Sequence, residues 1–203
     1  MNKILNCKKL IEIIIMQKKE LVRKLIHLLF GIIILGMIYF LGIPLTSVIL
    51  FTGLIIGTIV SIALSKKINI PILGKIVAGV ERENEKTFPG KAAILFFISA
   101  ILVMVIFKDT PSIVLASISV QVFADSAAAL IGINFGKHKL YKKKTIEGST
   151  ACLIVAIICI NFFFPLHIAI IGGVIATIVE LLPLDDNLFV PLFTAIAIKG
   201  LLL

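Results

Sequence analysis

Val122-Phe123-Ala124-Asp125-Ser126-Ala127-Ala128-Ala129-Leu130-Ile131-Gly132 places a carboxylate in the middle of an apolar stretch of membrane-span character. Directly after it come Gly136-Lys137-His138-Lys139 and Lys142-Lys143-Lys144-Thr145-Ile146-Glu147-Gly148-Ser149. A carboxylate at bilayer depth costs roughly 2.5–3.5 kcal/mol even on lenient insertion scales, so packing alone rarely puts one there. Cations just beyond it point to a polyanion at the neighbouring surface. A carboxylate near a polyphosphate points in turn to a divalent metal between them. The plainer alternative is a polar helix–helix contact beside an anchor of lysines, and it leaves the coincidence of both features on one segment unexplained.

The rest of the chain fits a membrane setting. Its 203 residues are 60% hydrophobic and only 15% charged, with a mean hydropathy of +1.17. A soluble domain of this length mixes apolar and charged residues more evenly, so an integral membrane protein is expected. With no Trp and two Tyr, Phe and Lys must anchor it at the interfaces. Cys7, Cys152 and Cys159 show no paired spacing and read as small core residues of a reduced protein, without a disulfide or metal framework. Within residues 1–20, Ile11 to Met16 is apolar apart from Glu12, and Lys8, Lys9, Lys18 and Lys19 flank it. That is short of the ~20 residues a span needs and has no small-residue cleavage site, so an interfacial amphipathic helix is expected there.

Seven apolar segments follow, roughly 25–41, 45–64, 92–107, 112–133, 150–164, 168–184 and 188–203. Residues 21–203 thus read as one membrane-embedded domain, an all-α polytopic bundle of about seven transmembrane helices. The charges orient it. Seven Lys and Arg lie in the tail up to Lys24, six in the 65–91 loop and five in the 134–149 loop, leaving only Lys108 and Lys199 for the other side. The turns Leu41-Gly42-Ile43-Pro44 and Phe164-Pro165-Leu166-His167 carry no Lys, Arg, Asp or Glu. Such asymmetry predicts a cytoplasmic N-terminus in the cell membrane, with the C-terminus outside. Of the 11 acidic residues, this topology puts Asp109 outside, Asp125 in the membrane and the other nine on the cytoplasmic side. A cation-coupled transporter using Asp125 would show polar groups along a path to both faces. Confinement to one face favours a cytoplasm-facing site acting on a lipid.

Four polar clusters face that side. Arg23-Lys24-Leu25-Ile26-His27 opens the first span, with Arg23 and His27 on one helical face. Arg23 and Lys24 read equally well as a stop-transfer anchor; His27, a turn deeper, does not. Glu81-Arg82-Glu83-Asn84-Glu85-Lys86-Thr87-Phe88-Pro89-Gly90-Lys91 ends at the membrane surface, where Lys91 and turn amides would meet phosphate. In the third cluster, Gly132-x-x-x-Gly136-Lys137 is one residue short of a P-loop and is followed by His138 where Ser or Thr is needed, so that motif is rejected. A glycine turn beside lysines can still cradle phosphate, and the helix opening at Lys144-Thr145-Ile146-Glu147-Gly148-Ser149 would offer free N–H groups to an anion. The fourth cluster, Glu180-Leu181-Leu182-Pro183-Leu184-Asp185-Asp186-Asn187, gathers three acids and an amide around a helix-breaking proline. One of them would serve as a helix N-cap. Three suit Mg²⁺ held by a few carboxylates, waters and phosphates.

At these clusters the chain resembles the polyprenol kinase family, which includes dolichol kinase, phytol kinase and the CTP-dependent diacylglycerol kinase. The resemblance rests on Arg23-Lys24-x-x-His27, on Asp125 to Gly132 with Phe135-Gly136-Lys137, on Lys144 to Ser149, and on Glu180 with Asp186-Asn187-Leu188 and Pro191. These occur in the family's order and cover nearly the whole chain from residue 21. Ala124 stands where the family usually has Gly, and Thr145 where it usually has Ser. The chain is much shorter than dolichol kinases, which favours a minimal unit like phytol kinase.

The resemblance implies transfer of a phosphoryl group, commonly from CTP, to the hydroxyl of an isoprenoid alcohol or similar membrane lipid. Diacylglycerol is the alternative acceptor, and the related phosphatidate cytidylyltransferases are the nearest rival. Asp125, Asp186 and His27 are the expected catalytic residues. Asp125, Glu180, Asp186 and Asn187 are the expected Mg²⁺ ligands. Lys91, Gly136, Lys137, Lys143, Lys144, Glu147, Gly148 and Ser149 are expected to bind the nucleoside triphosphate. No nucleic-acid partner is expected.

Overall fold

The computed structural model describes residues 2–66, 68, 88–141 and 144–203, with side chains described from residue 17 onward. Helices dominate: α1 (Asn2–Ser65), α2 (Lys91–Ile106), α3 (Pro111–Ser119), α4 (Asp125–Phe135), α5 (Ile146–Asn161), α6 (Leu166–Leu181) and α7 (Asp186–Leu201). A π-helical turn, Val120–Ala124, joins α3 to α4 in one continuous rod. A two-stranded antiparallel ribbon, β1 (Lys139–Tyr141) and β2 (Lys144–Thr145), interrupts the otherwise all-α chain.

The first helix is two arms. Gly42 has φ 77° and ψ 167°, a backbone conformation open to glycine and strained for any residue with a Cβ. Pro44 follows two residues later, so the helical ladder cannot run through. Contacts with α2 show where the arms go. The His27 ring stacks edge-on against Phe96 with centroids 4.7 Å apart. The next residue, Phe97, brings its ring to 3.1 Å from where a Gly53 side chain would begin. A straight helix would separate residues 27 and 53 by about 39 Å. The arms therefore fold back as an antiparallel hairpin, and the turn expected at 41–44 is its tip. At the other end the helix runs without a break from Asn2, so residues 2–20 are continuous with the first arm.

The remaining boundaries lie close to the expected ones, with one informative difference. The fifth segment, expected from residue 150, begins as α5 at Ile146 because Thr145 caps it: the Thr145 hydroxyl accepts from the Gly148 N–H at 3.1 Å. Short turns at 107–110, 162–165 and 182–185 join the later rods, and α5 packs along α6 and α6 along α7.

Packing is centred on the α3–α4 rod, whose Val114, Ala116, Ile118, Val120, Val122 and Ala124 are fully buried. Small residues set the closest crossings. A Cβ on Gly148 would lie 2.7 Å from the Ala128 carbonyl, and one on Gly31 would lie 2.3 Å from Val122. The outer faces are apolar: Leu29, Phe30, Tyr39, Phe40, Val48, Ile59 and Phe162 are all exposed. Gln17–Ser65 and Pro111–Phe135 are long and apolar enough to cross a membrane; α2, α5 and α6 are shorter apolar helices.

Candidate functional site

Asp125 begins α4 at the end of the π-turn and is buried, with Ser126 beside it. Across the helix crossing, the first arm of α1 brings Lys24 onto its carboxylate as a buried ion pair. His27, one turn further along that arm, places Nε2 3.9 Å from Asp125 Oδ2 and donates to the Gln121 carbonyl at 3.5 Å. A π-turn opens the backbone ladder locally, and such turns recur at functional sites. Here it coincides with the contact between the Gln121 carbonyl and the imidazole.

A second charged group lies at the same end of the bundle. The ribbon follows α4, and Lys144 on β2 reaches the α6–α7 turn. Lys144 Nζ is 2.7 Å from Glu180 Oε1 and 3.0 Å from Asp186 Oδ2, and it also donates to the Glu180 carbonyl. Burial works against charge on Lys144, but Asp186 and Glu180 outweigh it and raise the ammonium above its ordinary value. Burial pushes Asp186 up to about 6; Lys144 opposes the rise, while Asp125 and Glu180 add to it. Glu180 Oε2 and Asp186 Oδ1 are buried with no hydrogen-bond partner among the described residues. Each carboxylate thus has one oxygen on the lysine and one free to accept.

One hydrogen bond joins the two groups. Gln121 Nε2 donates to Asn187 Oδ1 at 3.0 Å. Gln121 lies one turn before Asp125, and Asn187 directly follows Asp186. The site is therefore a continuous polar chain, from Lys24, Asp125 and His27 through Gln121 and Asn187 to Asp186, Lys144 and Glu180.

Other expected residues fall elsewhere. Lys91 is exposed and pairs with the equally exposed Asp185 at 3.1 Å. Lys137 is exposed. Lys143 and the 81–87 stretch lie outside the described residues, so Phe88-Pro89-Gly90-Lys91 represents the second cluster. Ser149 is buried, and its hydroxyl has no partner among the described residues.

Two expectations are corrected. The first turn of α5 is not a free anion cradle. The Thr145 hydroxyl takes the Gly148 N–H, and the Glu147 carboxylate takes the His138 N–H at 3.3 Å and the His138 ring at 2.7 Å. Bonds from its own backbone N–H and from the His138 ring hold Glu147 down to about 2. Gly136 and Gly148 serve close packing instead, since a Cβ on Gly136 would strike the Gly132 carbonyl at 2.3 Å and the Thr145 methyl at 2.6 Å. The expected ligand quartet is also divided. Lys24 holds Asp125 and the Gln121 amide holds Asn187 Oδ1, leaving Glu180 and Asp186 as the pair with free oxygens. Among the described residues no three His, Cys, Asp or Glu side chains converge as metal ligands.

Gln121 escaped the sequence reading. Its signal was available: an amide within an apolar stretch, four residues before the buried aspartate and so on its helical edge. The role of Lys24 as the partner of Asp125 carried no local signal.

An uncharacterized protein of Methanocaldococcus jannaschii is 33% identical to this chain over 193 residues, covering 89% of this chain and 93% of the relative. No family model and no solved structure matches the chain.

Proposed function

The chain belongs to the family of that Methanocaldococcus jannaschii protein, and we propose that it is a membrane lipid kinase of the polyprenol kinase type. In this reading it transfers the terminal phosphoryl group of CTP to the hydroxyl of an isoprenoid alcohol. The observation that carries the reading is the Gln121–Asn187 hydrogen bond, which couples a buried aspartate to a lysine–carboxylate cluster at one end of the bundle. Phosphoryl transfer needs little covalent help from a protein: it needs a positioned hydroxyl, a positioned phosphate and neutralised charge. Two adjoining charged groups, one deep and one near the polar end, meet that need.

The same reading takes the chain as a seven-span bundle with a cytoplasmic N-terminus. Each arm of α1 is long enough to cross, and the apolar outer faces suit hydrocarbon far better than water. Helices α2 and α5 to α7 supply four shorter crossings and the α3–α4 rod the seventh. Both charged groups then lie on the lysine-rich side.

Within the site the residues divide by depth. Asp125, paired with Lys24, would receive the proton of the acceptor hydroxyl, and His27 beside it would orient that hydroxyl. Lys144 and Lys91 would face the triphosphate, with Lys143 next to Lys144 in sequence. Mg²⁺ is usually held through one or two carboxylates with the remaining positions left to water and phosphate. The free oxygens of Glu180 and Asp186 fit that pattern. When bound, the metal would supply charge neutralisation at the phosphates.

The test is purified protein with Mg²⁺ and γ-labelled CTP or ATP, assayed against a panel of prenols and diacylglycerol. A labelled prenyl phosphate, formed from CTP in preference to ATP, is the expected product. Release of pyrophosphate with a cytidylated lipid would replace the kinase by a cytidylyltransferase. Absence of any labelled lipid would overturn the proposal.

A further inference from the structure

Gln121 is fully buried, yet its side chain uses only half of its capacity. Nε2 donates to Asn187 Oδ1, while Oε1 is buried with no partner among the described residues. A buried amide oxygen left without a donor costs about 1–3 kcal/mol. A second observation singles out the same residue: Gln121 lies in the π-turn, and its backbone carbonyl accepts from His27, the neighbour of Asp125. Side chain and main chain of one residue thus look toward the two halves of the site. The group that would complete the oxygen is a donor, small enough for a buried position and delivered within a helical turn of Asp125 on the same rod. An alcohol O–H meets all three conditions, whereas phosphate oxygens and carbonyls only accept.

We propose that Gln121 Oε1 accepts the O–H of the bound acceptor lipid, so that Gln121 selects a hydroxyl-bearing ligand and holds it within a helical turn of Asp125, toward which that single proton turns when it is lost. This rests on the lipid-alcohol reading above and extends it to a residue outside the motifs that carry the resemblance. The Asn187 contact fixes the amide's orientation and makes its register depend on the turn that carries Asp186.

The experiment compares binding of a saturated isoprenoid alcohol with binding of the fluoride of the same chain, by calorimetry on detergent-purified protein. Fluorine has nearly the size of the hydroxyl but donates nothing. The wild type should prefer the alcohol by roughly ten- to hundredfold, the range for leaving one buried acceptor unpaired. Gln121→Leu should bind both equally. Gln121→Asn, which keeps an amide but withdraws it by one methylene, should lose most of the preference and provides the result if the leucine variant does not fold. Retained preference in a folded variant would overturn the Gln121 assignment and leave the kinase reading intact. A wild type that binds neither compound would remove the lipid-alcohol reading and this inference with it.

Discussion

Lys24 and Asp125, separated by 101 positions in sequence, form a buried ion pair that ties the first arm of α1 to the central rod. Removing one member of such a pair strands the other in a poor solvent for charge and typically costs about 3–5 kcal/mol, whereas removing both is often nearly neutral. Lys24→Met should therefore lower the unfolding temperature in detergent sharply, and adding Asp125→Asn to it should restore most of the loss. A double variant no better than Lys24→Met alone would show that the pair does not hold these helices together.

Gly148 and Gly36 give a contrast in packing. A Cβ on Gly148 meets the backbone carbonyl of Ala128 at 2.7 Å, while one on Gly36 meets nothing within 4 Å. Gly148→Ala should destabilise the α4–α5 crossing by about 1–3 kcal/mol through overpacking, and Gly36→Ala should cause no loss. Thermal unfolding of the two variants checks this. Unchanged stability in Gly148→Ala, with weakened nucleotide binding, would return the glycine to the phosphate role that the sequence first gave it.

Much of the fold was legible because long apolar helices announce themselves by length and apolarity, and because Gly42 and Pro44 mark the hairpin tip without help from distant residues. The site was legible in its charges: Asp125, Lys144, Glu180 and Asp186 all stand out against apolar neighbours, and three of them meet. What could not be read was partnership. Nothing near Lys24 says that it will find Asp125, and nothing in Lys144-Thr145 says that the ribbon will turn the lysine onto Glu180. The glycines misled because close helix crossing and phosphate cradling ask for the same residue. A phosphate cradle needs free N–H groups, and only the structure shows the Thr145 and Glu147 side chains taking them.

Lys144 occupies the position between Glu180 and Asp186 and is the proposed phosphate-binding cation, so its removal should have opposite effects on two ligands. Lys144→Met should weaken CTP binding and flatten its dependence on salt, because less of the attraction is left to screen. The same change should tighten binding of Mn²⁺ alone, since both carboxylates lose their competitor. Titrations of each ligand read the two effects separately. Weaker binding of both would show that Lys144 organises the carboxylates and does not compete for them.

The raised Asp186 carboxyl sets a pH dependence. A folded-state value of about 6 against an ordinary 3.8 means that the fold favours the protonated form. That contribution to stability is present at low pH and is lost as pH rises through about 6. Cation binding requires the ionised form, so Mn²⁺ affinity should climb between about pH 5 and 7 and then level off. Asp186→Asn should abolish the step. Affinity flat across that range would place the cation away from Asp186.

Orientation follows from where the lysines gather. Single cysteines in place of Lys137 or Asp185, in a cysteine-free background, should react with an impermeant reagent only from the cytoplasmic side. Those replacing Pro44 or Lys108 should react only from outside. Labelling of the Lys137 position from outside would reverse the topology and move the site to the other face.

The central claim is that Asp125 performs chemistry and is not merely a polar contact in the bundle. Asp125→Asn keeps the shape and removes the charge, which should ease insertion while weakening the tie to Lys24. In a kinase assay with γ-labelled CTP and a prenol, on protein verified as folded by monodisperse elution, turnover should fall by orders of magnitude, because charge placed at the reacting groups supplies most of the catalysis. Asp109→Asn, at the opposite end of the bundle, should leave turnover unchanged. Near-normal phosphoryl transfer by Asp125→Asn would contradict the account.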